Sequence, residues 1–348
     1  MSEQEKNIEK SIIAEMTSST NPREVSLNDT ILVGCNGCGS CCMSTQMKLN
    51  AFDIYNIAKK VGMKKASDHM VFYFGDNSHL PIIGLFSSKE TNMCPYLQAT
   101  NDGDYKCILE DSKPSTCTHP FVAIGTKFTQ SKFSFVPLDQ KVQPFDIEQY
   151  LKDYDISNNT FYYIEDRSNK CPSTCKKNVL VSDYMSDRIK YSKEHNLAII
   201  TSMLLSKYIK VNELTRLLYL ADNSKENKHI KSFLGQMSSY DKIARSMFID
   251  AYFYTDIESS KSFEEQTIEH IKYLEKKKYP VLRLLYKYFY IVFDPGHVTL
   301  ESILNTDDTD LAQERFDNYF ASNIEQIKDR FYNQMIVEMT REMKELNL

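Results

Sequence analysis

Hydrophobic and polar positions follow two different periods along the chain, and the change comes near residue 180. Before it, apolar runs are short and bounded by Gly, Pro, Asn and Asp, which is the pattern of strands and turns. "LPIIGLF", "FVAIGTKF" and "KFSFVPL" predict single strands. "CPYLQA" and "DYKCIL", separated by "TNDG", predict a hairpin. Two short helices interrupt this text. In the first, Asn50 stands as N-cap with Asp53 at the third helical position, and Ile54, Ile57, Ala58 and Val61 follow at helical spacing until Gly62 stops the run. "FDIEQYLKDY" predicts the second. From Ser182 onward the apolar residues recur every three to four positions, as on helices. "SFEEQTIEHIKYLEKKK" opens with Ser262 and Glu265 in capping-box positions and sets Ile268, Ile271 and Leu274 on one side. The last helix carries Phe316, Phe320, Ile324, Ile327, Phe331 and Met335 as a core-facing stripe. Residues up to about Asn28 are rich in Ser, Asn, Glu and Lys without an apolar period, and are expected to be flexible.

The pattern predicts a mainly α protein in three parts. A flexible segment spans 1–28, and a cysteine-rich α+β domain of short strands and loops around a metal site spans 29–180. An all-α domain spans 181–348. A length of 348 residues agrees with two domains. A net charge of -5 and a pI near 5.9 give no electrostatic reason to expect DNA or RNA as a partner. The longest apolar run, "VLRLLYKYFYIVF" from Val281 to Phe293, is interrupted by Arg283 and Lys287 and falls short of the roughly 20 residues a membrane span needs. The start, "MSEQEKNIEKSIIAEM", is polar and acidic and lacks the apolar core of a secretory signal. The expectation is a cytoplasmic protein with no nucleic-acid or membrane partner, and with a protein or redox partner whose identity is unknown.

Cysteine usage gives the strongest chemical signal. Cys35, Cys38, Cys41 and Cys42 fall within "VGCNGCGSCCMSTQ", and Cys94, Cys107, Cys117, Cys171 and Cys175 follow, with none in the helical half. Nine cysteines fit a disulfide framework only in a small secreted domain, and in a reducing compartment clustered thiols point to metal. An isolated cysteine is often a small buried hydrophobe, but a run with two-residue gaps does not read that way. The C-x-x-C-x-x-C spacing of Cys35, Cys38 and Cys41 is the one bacterial ferredoxins use for three ligands of a [4Fe-4S] cluster, with a fourth cysteine followed by proline. Cys94 precedes Pro95 and Cys171 precedes Pro172. Zinc competes, since two C-x-x-C steps and two later cysteines could build a tetrahedral site. Seven or more cysteines in one domain favour iron–sulfur over a single zinc. Adjacent Cys41 and Cys42 point in different directions, so one of them serves a second centre or the wall of the first. No radical-S-adenosylmethionine spacing, P-loop, G-x-G-x-x-G, G-x-S-x-G or H-E-x-x-H is present. His119, in "CTHP", is the one histidine beside a cysteine, and is a candidate ligand or proton donor as well as a structural residue.

Taken in order, "CNGCGSCC", "CPYL", "CILEDSKPSTCTHP" and "IEDRSNKCP" resemble the CxxCxxCC cysteine-cluster family of the YkgJ type, a zinc- or iron-chelating family. The resemblance covers about residues 29 to 180 and implies Cys35, Cys38, Cys41, Cys42, Cys94, Cys107, Cys117 and Cys171 as metal ligands. The chain departs from the pattern at Lys113 and Thr118, where the family carries arginine, at His119, where it carries an aromatic ring, and at Ser173, where it carries glycine. Loss of two guanidinium groups weakens any case for a carboxylate or phosphate held there. Cys175 matches no position of the pattern and is expected to be spare.

Three functions follow from these features. The first is an iron–sulfur protein whose [4Fe-4S]-type cluster serves electron transfer or an uncharacterised reaction. The second is an S-adenosylmethionine-dependent protein lysine N-methyltransferase with an iron–sulfur cluster, on a distant resemblance to flagellin lysine N-methylase. The third is a non-catalytic zinc or iron chelating module whose helical half binds a partner. The catalytic residues and the substrate are not readable.

Overall fold

The computed structural model describes residues 22–33, 42, 47–73, 82–85, 93–101, 105–126, 133–156, 159–165, 176–210, 261–293, 302–303 and 308–345, with isolated positions between 213 and 224 and at 306. The cluster cysteines Cys35, Cys38 and Cys41, with Cys171 and Cys175, lie outside the described residues.

The chain opens with two strands, β1 (Arg23–Val25) and β2 (Thr30–Val33). β3 (Met47–Leu49) leads into α1 (Ala51–Val61) and the short α2 (Met63–Ser67). β4 (Met70–Tyr73) and β5 (Ile82–Leu85) come next, then the hairpin of β6 (Leu97–Ala99) and β7 (Tyr105–Cys107). One helical turn, α3 (Ser115–Thr118), precedes β8 (Val122–Thr126), α4 (Ile147–Asp153), β9 (Asn159–Tyr163) and β10 (Lys177–Leu180). The described residues that follow are mainly helical: α5 (Val181–Tyr184), α6 (Ser186–Lys190), α7 (Ser192–Tyr208), α8 (Phe263–Tyr273), α9 (Tyr279–Phe293), α10 (Thr309–Asp329) and α11 (Ile336–Glu345). All strand pairings among the described residues are antiparallel, in small sheets ordered β1-β9-β8, β10-β2, β3-β5-β4 and β6-β7. The architecture is therefore mainly α, with small sheets in the N-terminal region and helices after it. No helix among the described residues is long and apolar enough to cross a membrane.

Local chemistry accounts for most elements. Asn50 caps α1 by accepting from the Asp53 N–H at 2.9 Å, and the Asp53 carboxylate accepts the Asn50 N–H at 3.1 Å. Gly62, with φ 87°, ends that helix in a conformation that side chains other than glycine rarely adopt. Ser262 and Glu265 form the same reciprocal cap on α8. A π-helical segment, Leu274–Lys278, joins α8 to α9. Pro280 follows it, and a proline has no N–H to return to the carbonyl four residues earlier, so a widened turn fits there. A second π segment, Arg330–Met335, joins α10 to α11, with Phe331 and Met335 fully buried.

Two features differ from the sequence reading. Arg23–Val25 is an edge strand paired with β9, inside the stretch for which composition gave no element. Its Val25 is buried in a small cluster with Ile31, Val33, Phe121, Phe161 and Val181. "KFSFVPL" is not a strand: residues 134–137 have no ladder. Its backbone groups are taken elsewhere. The Val136 N–H donates to the Lys207 carbonyl at 3.1 Å, and Arg283 Nη1 donates to the Val136 carbonyl at 2.7 Å. Phe133 and Phe135 pack on Phe145 and Tyr286.

One hydrophobic cluster runs from Leu49 to Met339 and so joins residues on both sides of position 180. α7 lies at its centre, packed against α1, α8 and α9. It buries Leu197, Ala198, Ile200, Leu204 and Leu205 completely and shows little amphipathic character, as a helix enclosed on most sides should.

Candidate metal centre

The β2–β10 ladder fixes the ends of the cysteine-rich region. Val33 is paired with Lys177, so the chain leaves toward Cys35 and returns from Cys175 at the same end of one ladder. Cys42, half-buried, accepts the Cys94 N–H on its carbonyl at 2.7 Å. That bond ties the end of the doubled-cysteine run to the C-P-Y-L step. In that step the Cys94 carbonyl accepts the Leu97 N–H at 3.0 Å, closing a turn with Pro95 at the position where its fixed φ is favourable. The hairpin then returns Cys107 opposite Leu97, and the Ile108 N–H donates to the Tyr96 carbonyl at 2.9 Å. Cys94 and Cys107 therefore flank one hairpin stem.

Cys117 sits on α3. This single turn is held from outside by Asp53, whose carboxylate accepts the Ser115 N–H at 2.9 Å and the Ser115 hydroxyl at 3.3 Å. The Thr116 hydroxyl donates to the Lys48 carbonyl at 3.3 Å. Lys113, just before the turn, is pulled down by burial, but Glu110, with Cys107 and Cys117 behind it, outweighs that and leaves the ammonium raised.

The donor set fits a metal held by sulfur. Cys42, Cys94, Cys107 and Cys117 are all half-buried. Tyr96 is 3% exposed, and its hydroxyl has no hydrogen-bond partner among the described residues. Burial, then the charges of Cys94 and Asp68, push that phenol up to about 12, so it remains a donor at neutral pH. An orphaned O–H beside Cys94 suits a neighbouring thiolate or sulfide. Among the described residues no group of three or more His, Cys, Asp or Glu side chains comes together closely enough to hold an ion.

Residues 34–176 match the family model CxxCxxCC, described as a "putative zinc- or iron-chelating domain". This segment is what the chain shares with the CxxCxxCC family, and the helices after it lie outside the match. The CxxCxxCC domain thus begins one residue after β2 and ends one residue before β10, so the ladder that closes the region also delimits it. The matched stretch includes Cys175, which the sequence reading had set aside. Comparison with curated proteins and with solved structures gave no match.

Sequence reasoning missed the polar cluster behind α3. Asp53 appeared there only as a helix cap, yet it is 3% exposed and serves two helices. Burial raises its carboxyl, against the lowering effects of Arg188 and of the Ser115 and Asn50 bonds. Arg188, on α6, faces His195 on α7, with Nη1 at 2.6 Å from Nδ1 and 3.0 Å from Nε2. His195 is driven well below its usual value by burial, then by Arg188 and His119, and is neutral. His119 belongs to this side. Burial and Arg188 lower it to about 4, Tyr184 packs on its ring at 5.4 Å, and its Nδ1 has no partner among the described residues. Positions 113 and 118 lack guanidinium groups, but Arg188 brings one to the same neighbourhood from far along the chain. Single-sequence spacing carries no signal for such a contact.

Proposed function

We propose that the CxxCxxCC domain holds an iron–sulfur centre of the [4Fe-4S] type. Cys35, Cys38 and Cys41 supply three ligands, and the rest of the set comes from Cys42, Cys94, Cys107, Cys117 and Cys171. The observation that carries this reading is the Cys42–Cys94 backbone bond, which draws the cysteine–proline step onto the end of the C-x-x-C-x-x-C-C run. The number of thiols favours a cluster over one zinc, and the unpartnered Tyr96 hydroxyl supplies a donor beside it. When bound, such a cluster supplies one-electron transfer. The protein's own groups hold the ligands in register through the hairpin, the β2–β10 ladder and the Asp53-anchored turn, and Lys113 offsets thiolate charge.

Replacement of single cysteines tests the ligand set. Cys35→Ser is expected to remove most of the visible absorbance and lower the melting temperature together, because cluster binding is partly folding energy. Cys94→Ser is expected to remove all of the iron or about half, which counts the centres. A Cys35→Ser protein that keeps its full iron content would refute the assignment of the three-ligand loop.

A further inference from the structure

Tyr96 buries a hydroxyl for which the described residues supply no acceptor. The residue stands two positions after Cys94, and its ring belongs to the main hydrophobic cluster, against which Cys94 and Cys107 also pack. Its backbone is held from two sides. The Leu97 N–H closes the turn onto the Cys94 carbonyl at 3.0 Å, and the Ile108 N–H, next to Cys107, donates to the Tyr96 carbonyl at 2.9 Å. The ring stands edge-on to His69, with centroids 5.6 Å apart. The residue is 3% exposed, so water does not take the place of a partner. Cys94 and Asp68 lie near enough for their charge to act on the phenol, yet neither accepts its hydrogen. A buried hydroxyl left unpaired is costly and calls for an acceptor supplied by something else.

We propose that Tyr96 is a positioning residue of the metal centre, its hydroxyl donating to a metal-bound sulfur. This role rests on the metal-binding reading of the cysteines and extends it to a residue that is not a ligand. A sulfur carrying negative charge is the acceptor that suits an O–H set between two cysteines of one hairpin stem. Such a bond draws electron density from the sulfur and stabilises the more negative, reduced state of a cluster, so it raises the reduction potential. At a zinc site the same bond stabilises the ligating thiolate and tightens binding.

Tyr96→Phe removes the hydroxyl and nothing else, and a redox titration of the full chain, isolated without oxygen, tests the role. Iron and sulfide content are expected to match those of the unaltered protein, while the midpoint followed by visible absorbance falls. The expected fall is about a tenfold change in the reduction equilibrium, about 59 mV for one electron. Equal midpoints overturn the role of Tyr96 and leave the iron–sulfur assignment standing. If the isolated protein holds zinc without sulfide, the iron–sulfur assignment fails and competition with a chelator becomes the test. Tyr96→Phe is then expected to bind zinc about tenfold more weakly, and equal affinities overturn the role. If the Tyr96→Phe protein holds no metal, a fluorinated tyrosine placed at position 96 decides, because it keeps the hydroxyl and makes it a stronger donor. A raised midpoint, or tighter zinc binding, supports the bond, and an unchanged value rejects it. A chain that binds neither iron nor zinc overturns both readings.

Discussion

Asp53→Ala removes the acceptor shared by Ser115 and Asn50 and leaves Arg188 without its compensating charge. The expected cost is about 2–4 kcal/mol, read from urea unfolding, because buried donors to a carboxylate are left unmet. A cost below about 1 kcal/mol would show that α3 is held by other means. His195 makes a second prediction at this scale. Burial, Arg188 and His119 depress its folded value, so the fold keeps it neutral while the unfolded chain takes up a proton near pH 6.5. Its contribution is therefore present above that pH and is lost as pH falls, at up to about 1.4 kcal/mol per unit. Between pH 6.5 and 5, in chloride, the unaltered protein is expected to lose roughly 2 kcal/mol more than His195→Gln. Equal losses would mean that His195 is already protonated in the fold. Neither role was legible in sequence. Asp53 was visible as a cap because its partner lies three residues away, whereas Ser115, Arg188 and His195 reach the same spot only through folding.

Helices with local start and stop signals were readable: the Asn50 and Ser262 caps and the Gly62 stop all lie within a few residues of the element they define. The hairpin was readable for the same reason. "KFSFVPL" alternates like a strand, but Arg283 on α9 takes its carbonyls, and its Phe rings fill the space beside Phe145 and Tyr286. A tertiary partner distant in sequence decided that segment. Arg283 donates to the carbonyls of Val136, Pro137, Gln140 and Tyr208, and its guanidinium lies 5.7 Å from the Phe135 ring centroid. A lysine cannot meet several carbonyls with one planar fork. Arg283→Lys is therefore expected to cost about 2 kcal/mol in equilibrium unfolding. A cost near zero would mean that charge alone, and not the fork, holds the segment.

Across the whole molecule, one core links the CxxCxxCC domain to the helices that follow, since α1 of the domain packs on the central α7. The ladder that delimits the domain, the hairpin between Cys94 and Cys107 and the turn bearing Cys117 are thus anchored to the largest buried mass of the protein. This arrangement gives Cys94, Cys107 and Cys117 a rigid frame. The most direct test is elemental: iron, acid-labile sulfide and zinc measured on the protein isolated without oxygen. A brown protein with iron and sulfide in comparable amounts and little zinc is the predicted result. A colourless, fully folded protein containing zinc and no sulfide would contradict it.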